Sequence, residues 1–366
     1  MPVSRDLLSR TLRTPDIVTH FSIGKWDLLI RQARAADLLA HLAHRFRQRG
    51  LTAAIPAMAC WHFDAAETLA DKQHIALRWE LLQLRDALAD IGSPLVVLKN
   101  TTYVTVNPST AEEQRFNGID ILVPHGRLPL AESVLERAHW HALGLSEYDQ
   151  RYRRRWMHQA APMQHPQRAV VVNVHHAVPS DRAHAPLNAA RLRHRAIAVD
   201  NFPGVHVLAV EDRVLHAATH LFHDGELSHG LRDLTDLDLL LLDAAVEADF
   251  WTRLVARASE LQLGRSLFYA LRYLRYFLDT PIPDGVFTAL HDSTPNRVTL
   301  ALMDSIFTRA LAPVHASCAD AYTPAARLAA FGRAHWLRMP AHQLLPHLFH
   351  QAYIRTTLDN NPPKAA

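Results

Sequence analysis

The spacing of apolar residues predicts helices at both ends of the chain and short strands in its middle. Through residue 92 and again from Glu211 onward, apolar positions recur at three- and four-residue intervals, the period of an amphipathic helix. In the middle of the chain, short runs rich in Leu, Ile and Val predict strands at Leu95–Leu98, Ile119–Val123 and Val170–Val174. A helix is expected from Leu128 to Leu143, with Gly144 placed to end it.

Strands that alternate with a helix predict a small mixed sheet packed by helices, so the expected class is α+β. Turn residues at Gly92-Ser93-Pro94 mark the start of the sheet region. The expected organisation has four parts: a helical N-terminal region at 1–92, the sheet at 93–208, a helical C-terminal domain at 209–355, and a flexible tail at 356–366. The sheet is therefore flanked by helical regions on both sides of it in the chain.

Composition narrows the class of protein without identifying a function. Of the 366 residues, 49% are hydrophobic and 20% are charged, which is ordinary for a globular protein. The net charge is only +3, so a general affinity for nucleic acid is not expected. Cys60 and Cys318 are far apart, and no apolar run suits a leader or a membrane span. We therefore expect a cytoplasmic protein without a transmembrane segment.

The candidate chemistry lies where the first predicted strand meets a polar turn. Leu95–Leu98 runs into Lys99 and Asn100, and the next predicted strand carries Asp120 among apolar residues. Phosphoryl and nucleotidyl transfer depend on metal ions that neutralise phosphate charge. Mg²⁺ prefers hard oxygen ligands, and a strand presents residues i and i+2 on one face. A strand carboxylate such as Asp120 is therefore a candidate metal ligand.

Four short segments extend this motif along the chain. They are Leu98-Lys99-Asn100, Gly118-Ile119-Asp120-Ile121-Leu122-Val123, Val172-Asn173-Val174-His175-His176, and the helical segment His216–His223 with Arg232–Leu237. In this order they resemble uncharacterised bacterial nucleotidyltransferase-like proteins of the polymerase-β-type nucleotidyltransferase superfamily. The resemblance implies a nucleotidyltransferase-like palm that uses Mg²⁺ to transfer a nucleoside monophosphate from a nucleoside triphosphate. The acceptor, a small molecule or a protein, is unknown.

The resemblance also assigns roles to single residues. Asp120 would be the metal ligand, and Asp120 and Asn173 would be catalytic. The residues that would bind nucleotide or phosphate are Lys99, Asn100, Arg115 and Gly118. The candidates from the helical C-terminal domain are His220, Arg232 and Asp236.

Three positions around Asp120 depart from the family's pattern. Gly118 and Asn173 replace the first and third metal carboxylates, and Asn100 replaces the glycine of the turn. Two Mg²⁺ ions about 4 Å apart repel each other by roughly 16 kcal/mol at an effective dielectric constant of about 20, which one carboxylate offsets poorly. The alternative function is a pseudoenzyme that binds nucleotide or a protein partner without turnover. In the structural alternative, Asp120 is capped by a turn or paired with Arg115.

Two further groups have both a functional and a structural interpretation. His216, His220 and His223 share one helical face, which suits either zinc, with Asp224 as a further ligand, or a polar seam between the helical domain and the sheet. The run Arg151–Trp156 suits binding of phosphates, RNA or an acidic partner, or an edge strand protected by charge. The structural interpretation is favoured for both groups, and nucleic acid is not an expected partner.

Overall fold

The computed structural model shows a mixed α+β chain in which helices surround one sheet. It describes residues 6–99, 101–106, 118–168, 170–181, 187–224, 227–340 and 342–344, without the side chains of residues 103, 104, 106 and 224. The α+β class expected from the sequence is confirmed. Within these ranges, no helix has both the length and the apolar character that crossing a bilayer requires.

Four α-helices precede the sheet. They are α1 (Leu7–Arg13), α2 (Ile23–Ala35), α3 (Leu39–Gln48) and α4 (Ala57–Ala87). Short 3-10 helices lie at Pro15–His20, Thr52–Ala54 and Ala89–Ile91. α1 begins where the Asp6 carboxylate accepts a hydrogen bond from the Ser9 N–H at 2.7 Å. Gly92, with φ at 68°, turns the chain into the sheet in a conformation that costs glycine little.

A seven-stranded mixed sheet occupies the middle of the chain. Its strands are β1 (Leu95–Leu98), β2 (Ile119–Leu122), β3 (His141–Ala142), β4 (Met163–Gln164), β5 (Val171–His175), β6 (Ile197–Ala198) and β7 (Val205–Val207), in the order β3-β4-β5-β2-β1-β7-β6. β2 is antiparallel to β1 and parallel to β5. Every residue of β1 and β2 is buried, which explains why both read as continuous apolar runs.

Helices also connect the strands. They are α5 (Thr101–Val106), α6 (Leu128–Arg137), α7 (Glu147–Tyr152), which continues as a π-helix at Arg153–Met157, and α8 (Ala189–Arg193), with a 3-10 helix at His125–Arg127.

The end of α6 corrects one prediction, because this helix stops at Arg137 and not at Gly144. His139 takes a left-handed conformation with φ at 68°, and the Trp140 N–H donates a hydrogen bond to the Leu135 carbonyl at 2.9 Å. This is the bonding of a Schellman helix end. Trp140 is then buried at 2% exposure, and the chain enters β3.

In the described part of the chain, seven α-helices lie between the sheet and residue 338. They are α9 (Val210–Asp224), α10 (Gly230–Ala244), α11 (Phe250–Leu261), α12 (Gly264–Leu278), α13 (Asp284–Ala289), α14 (Arg297–Ala310) and α15 (Thr323–Arg338), with 3-10 helices at His291–Ser293 and Ala316–Cys318. The Asp181 carboxylate accepts hydrogen bonds from the N–H groups of Arg265 at 2.8 Å and Ser266 at 3.0 Å. It thereby caps α12 and ties that helix to the segment after β5.

Buried apolar side chains from all these regions form one continuous core cluster that extends from Leu8 to Ala330. The helices before and after the sheet therefore pack into a shared interior rather than into separate cores. The boundaries expected at residues 92, 208 and 355 stay predictions.

Candidate functional site

A cleft of about 300 Å³ lies between the central strands and the helices α9 and α10. Its sheet side is lined by Lys99, Gly118, Asp120 and Asn173. Its helical side is lined by Arg213, His216, His220, Arg232, Asp233 and Asp236. This volume is at the lower end of the range for ligand sites, roughly 300–1,000 Å³. The cleft brings residues from distant parts of the chain to one place.

Strand register determines which side chains meet Asp120. Asp120 pairs with Leu98 of β1 on one side and with Asn173 of β5 on the other. His175 lies two residues beyond Asn173 and therefore on the same face of β5. As a result, Asp120 Oδ1 lies 2.6 Å from His175 Nε2 and 3.0 Å from Lys99 Nζ.

These two partners determine the charge state of Asp120, which is only 8% exposed. Burial alone would raise the pKa of its carboxyl, but the Lys99 ammonium and the hydrogen bond from His175 hold that pKa well below its ordinary value. Because an ionised carboxylate only accepts hydrogen bonds, His175 Nε2 carries the proton and donates it. Lys99, Asp120 and His175 thus form a compact ion-paired group, which we call the Asp120 group.

Lys99 adopts an uncommon backbone conformation at the end of β1. Its φ of 53° lies in the left-handed region, one position before Asn100, where the family has its glycine. This conformation costs an L-residue about 1–2 kcal/mol, and such outliers persist where surrounding contacts fix them. The ion pair with Asp120 is a contact of this kind.

Gly118 approaches the neighbouring strand closely. A Cβ atom at this position would lie 2.5 Å from the carbonyl oxygen of Val171, much closer than real contacts of this kind. Val171 is the first residue of β5, so its backbone is held by the sheet. Any side chain at 118, including the family's carboxylate, therefore requires a shift of the backbone. Glycine at this position is consistent with the local structure and not only with the loss of a ligand.

The donors around Asp120 do not fit a centre with two magnesium ions. Mg²⁺ requires hard oxygen ligands, and such centres use several carboxylates. Here the strands supply Asp120, whose Oδ1 is held by Lys99 and His175, and the neutral amide of Asn173. The Lys99 ammonium, 3.0 Å from the Asp120 carboxylate, also places a positive charge next to the candidate metal ligand.

The helical side of the cleft adds charges of both signs. Arg232 Nη1 lies 3.0 Å from Asp37 Oδ2, and its Nη2 lies 3.5 Å from Asp233 Oδ1. Burial alone would lower the pKa of Arg232, but the carboxylates of Asp233, Asp236 and Asp37 raise it. The guanidinium is therefore permanently charged at the wall of the cleft.

His216 contributes a neutral imidazole to the same wall. Burial, and then the nearby His220, Lys99 and His175, lower the pKa of His216 well below its ordinary value. A neutral imidazole can donate or accept a hydrogen bond without adding charge.

The three histidines of α9 do not assemble a zinc site in the described part of the chain. His223 donates from Nδ1 to the Thr219 carbonyl at 2.9 Å, and the rings of His216 and His220 are 6.2 Å apart. Among all described side chains, no group of three or more His, Cys, Asp or Glu residues is arranged to hold a metal. The Asp224 side chain lies outside the described part.

The structure places most of the predicted site residues together. Lys99, Gly118, Asp120, Asn173, His220, Arg232 and Asp236 all line the cleft, although their roles stay predictions. Asn100 and Arg115 lie outside the described residues. Sequence reasoning did not assign site roles to His175 or Arg213. His175 could have been found from the sequence, because it lies two residues after Asn173 and therefore on the same face of the strand. No sequence pattern singles out Arg213.

The arginine run is helical and not a strand, since Arg151–Trp156 belongs to α7 and its π-helical continuation. Arg154 Nη2 lies 2.5 Å from Glu132 Oε1, and the Arg155 guanidinium lies 5.0 Å from the centre of the Trp156 ring. The charges are thus engaged locally. Protection of a sheet edge is therefore not the role of this run.

Comparison with known proteins identifies one related group. A family model described as an uncharacterised nucleotidyltransferase matches residues 23–279, which include the whole sheet and both helices of the cleft. Comparisons with curated proteins and with solved structures gave no match. The match begins in α2, well before Leu98-Lys99-Asn100, the first motif that resembles the family.

Proposed function

Since the chain belongs to this family of uncharacterised nucleotidyltransferases, we propose that its sheet is a nucleotidyltransferase palm and that its cleft binds a nucleoside triphosphate without metal-dependent turnover. Family membership supports a nucleotidyltransferase-like function in general. The observation that carries the finer proposal is the Asp120 group. It engages Asp120, which among the described residues is the one carboxylate that the strands present to the cleft.

The lining of the cleft supports a phosphorylated ligand. Arg213 and Arg232 supply guanidinium groups, which bind phosphate oxygens through paired hydrogen bonds. Thr102 and Ser228 add hydroxyl groups, and leucines provide apolar surface for a base or sugar. The Lys99 ammonium is already close to the cleft and can exchange part of its interaction with Asp120 for a phosphate. These groups recognise a nucleotide without a resident metal.

Nucleotidyl transfer is the second candidate. It is favoured by the position of Asn173, whose register beside Asp120 matches that of a third ligand in the family's pattern. In this case the protein transfers a nucleoside monophosphate to an acceptor that is a small molecule or a protein. The cytoplasmic location expected from the sequence accommodates either function and stays a prediction.

Nucleotide binding is tested by calorimetric titration of the full chain with ATP, GTP, CTP and UTP, with and without Mg²⁺. We expect at least one triphosphate to bind, with an affinity that Mg²⁺ does not increase. Arg213→Gln should weaken that binding about tenfold, because it removes one guanidinium–phosphate contact. Arg297→Gln, an exposed arginine of α14, is the matched control and should bind as the natural chain does. Failure of all four triphosphates to bind contradicts the proposal.

Turnover is tested by release of pyrophosphate from the bound triphosphate. We expect none from the natural chain, whatever the Mg²⁺ concentration. Asn173→Asp adds a carboxylate beside Asp120, whereas Gly118→Asp is unsuitable because its Cβ would collide with the backbone of Val171. Mg²⁺-dependent release by the natural chain that Asp120→Asn abolishes would overturn the pseudoenzyme and establish the transferase. Release only after Asn173→Asp supports a palm that has lost turnover.

A further inference from the structure

The solvent side of α4 carries a row of large apolar residues. Their exposed fractions are 66% for Met58, 59% for Trp61, 42% for Leu69, 70% for Ile75 and 51% for Trp79. Single exposed apolar residues are common on protein surfaces, but five large ones on one side of a helix, two of them tryptophans, are not. We call these five residues the α4 stripe.

Four of the five residues of the α4 stripe, Met58, Trp61, Ile75 and Trp79, lie at heptad positions of the helix. Exposed residues at positions 58, 61, 65, 68, 72, 75 and 79 are separated alternately by three and four residues, with Leu69 beside them. The residues that anchor α4 to the core, Phe63, Ala70 and Leu77, recur on the opposite face. α4 thus has one stripe for its own core and a second, exposed stripe with the spacing of a helix–helix seam.

The size of the α4 stripe is sufficient for a specific interface. From Met58 to Trp79 it extends about 30 Å along the helix. Its exposed apolar side chains amount to about 600 Å² per copy, given that a large aromatic side chain offers about 150–250 Å². A symmetric pair would bury about 1,200 Å², the area at which stable interfaces begin.

The α4 stripe is also complementary to itself when its direction is reversed. Trp61 and Trp79 lie near its two ends, so an antiparallel copy places each tryptophan against the other tryptophan of its partner. The small Ala65 then faces the large Ile75 of the partner, which is the alternation that close packing of helices requires. Parallel pairing would instead place like residues together, with Lys72 against its own copy.

Charge on α4 agrees with the antiparallel arrangement. Lys72 is the one cation inside the heptad seam, and the carboxylates of Asp64 and Asp71 flank it on the same exposed side. In an antiparallel pair, Lys72 of one copy lies within side-chain reach of the carboxylates of the other. Polar residues within such a seam, here Thr68 and Lys72, typically fix the register at some cost in stability.

We propose that the α4 stripe is a self-association surface and that two copies of this chain pair through antiparallel α4 helices. The pairing is two-fold symmetric, so the same residues serve both copies. It uses a face of α4 that does not line the cleft, and its test is independent of nucleotide binding.

Sedimentation equilibrium of the full chain tests the association. We expect a monomer–dimer equilibrium, and Ile75→Lys should weaken it about a hundredfold, because each dimer loses two apolar contacts and gains two like charges. Val298→Lys is the matched control, since Val298 is 82% exposed on α14 and outside the stripe; it should leave the equilibrium unchanged. Circular dichroism checks that both variants are folded. A monomer at every concentration, or a dimer that Ile75→Lys does not weaken, overturns the proposal.

Cross-linking tests the direction of the helices. In a chain with Cys60→Ser and Cys318→Ser, a short bismaleimide should join two copies through Leu69→Cys, which lies near the symmetry axis. It should not join them through Met58→Cys, because two such positions are about 36 Å apart in an antiparallel pair. Cross-linking through residue 58 and not through 69 overturns the antiparallel arrangement. A dimer with neither cross-link assigns the interface to another surface.

Discussion

Two buried carboxylates, Asp120 in the cleft and Asp212 in α9, are paired with cations but in different ways. Asp212 is fully buried, and it accepts hydrogen bonds from Arg257 Nε at 2.6 Å and Nη2 at 3.0 Å. Burial raises the pKa of Asp212 in spite of Arg257, whereas Lys99 and His175 overcome burial and lower the pKa of Asp120. The forked guanidinium holds a structural carboxylate permanently. A lysine and a histidine at the wall of a cleft can instead exchange part of their interaction with the carboxylate for contacts with a ligand.

The largest effect is expected at the structural pair. Asp212→Ala removes the buried carboxylate that binds Arg257, whose side chain is 6% exposed, and leaves that guanidinium only the half-exposed Glu260, 2.7 Å away. Removal of one partner of a buried pair typically costs about 3–5 kcal/mol of unfolding free energy. Urea unfolding measures the loss, with Asp292→Ala, at a fully exposed aspartate, as the control that should change little. A loss of unfolding free energy below about 1 kcal/mol would contradict the interpretation of Asp212 as a structural carboxylate that differs from Asp120.

A second prediction extends the comparison to histidines. His175 is held by a carboxylate, whereas burial and the neighbours His176, Arg338 and His125 lower the pKa of His158 to about 4. The unfolded chain therefore binds a proton at His158 below about pH 6.5 and the folded chain does not, so stability falls as the pH drops from about 6.5 to 4. The contribution is at most about 3 kcal/mol.

His158→Asn tests this dependence. Asparagine tolerates the left-handed conformation of residue 158, where φ is 57°, and does not titrate in this range. The unfolding free energy of the variant should fall less steeply between pH 6.5 and 4 than that of the natural chain. His291→Asn, at a side chain 87% exposed, should keep the original slope. Equal slopes for all three chains would contradict the assignment of a buried neutral His158.

A smaller effect is expected at the Asp120 group. Asp120→Asn should cost about 1–3 kcal/mol, less than Asp212→Ala, because the Lys99 side chain is 24% exposed and can turn to water. The lowered pKa means that this stabilisation is present above the unfolded pKa of about 4 and is lost as the pH falls further. Urea unfolding at pH 7 and at pH 3 should therefore show a smaller difference between variant and natural chain at pH 3 than at pH 7. A similar difference at both values would assign the effect to packing.

Three of the seven strands, β1, β2 and β5, could be predicted because their signal is local. Leu95–Leu98 and Ile119–Leu122 are buried on both faces, so their apolar runs stand out in the sequence. The end of α6 could not be predicted in this way. It depends on His139 adopting a left-handed conformation so that Trp140 can be buried, and tertiary packing decides that choice.

The candidate site likewise contains residues whose positions the sequence predicts and residues whose positions depend on tertiary structure. Asp120 and Asn173 could be placed near each other from motif order alone, and register then put them side by side. The structural alternative for Asp120 was a turn cap or a pair with Arg115, which lies outside the described residues, and the described partners are Lys99 and His175. Ion pairs across strands depend on register, which a single sequence specifies weakly. For the same reason Arg213, contributed by a helix distant in sequence, carried no signal.

The two outermost strands of the sheet limit how copies of this protein can associate. β3 and β6 pair with the sheet over only two residues each, and all four of these residues are exposed. Edge strands this short offer an incoming strand almost no row of unpaired backbone N–H and C=O groups. This protects the protein against aggregation through its sheet edges. Growth by addition of strands is thereby discouraged at both edges, so the proposed pairing of two copies depends on side chains such as those of the α4 stripe.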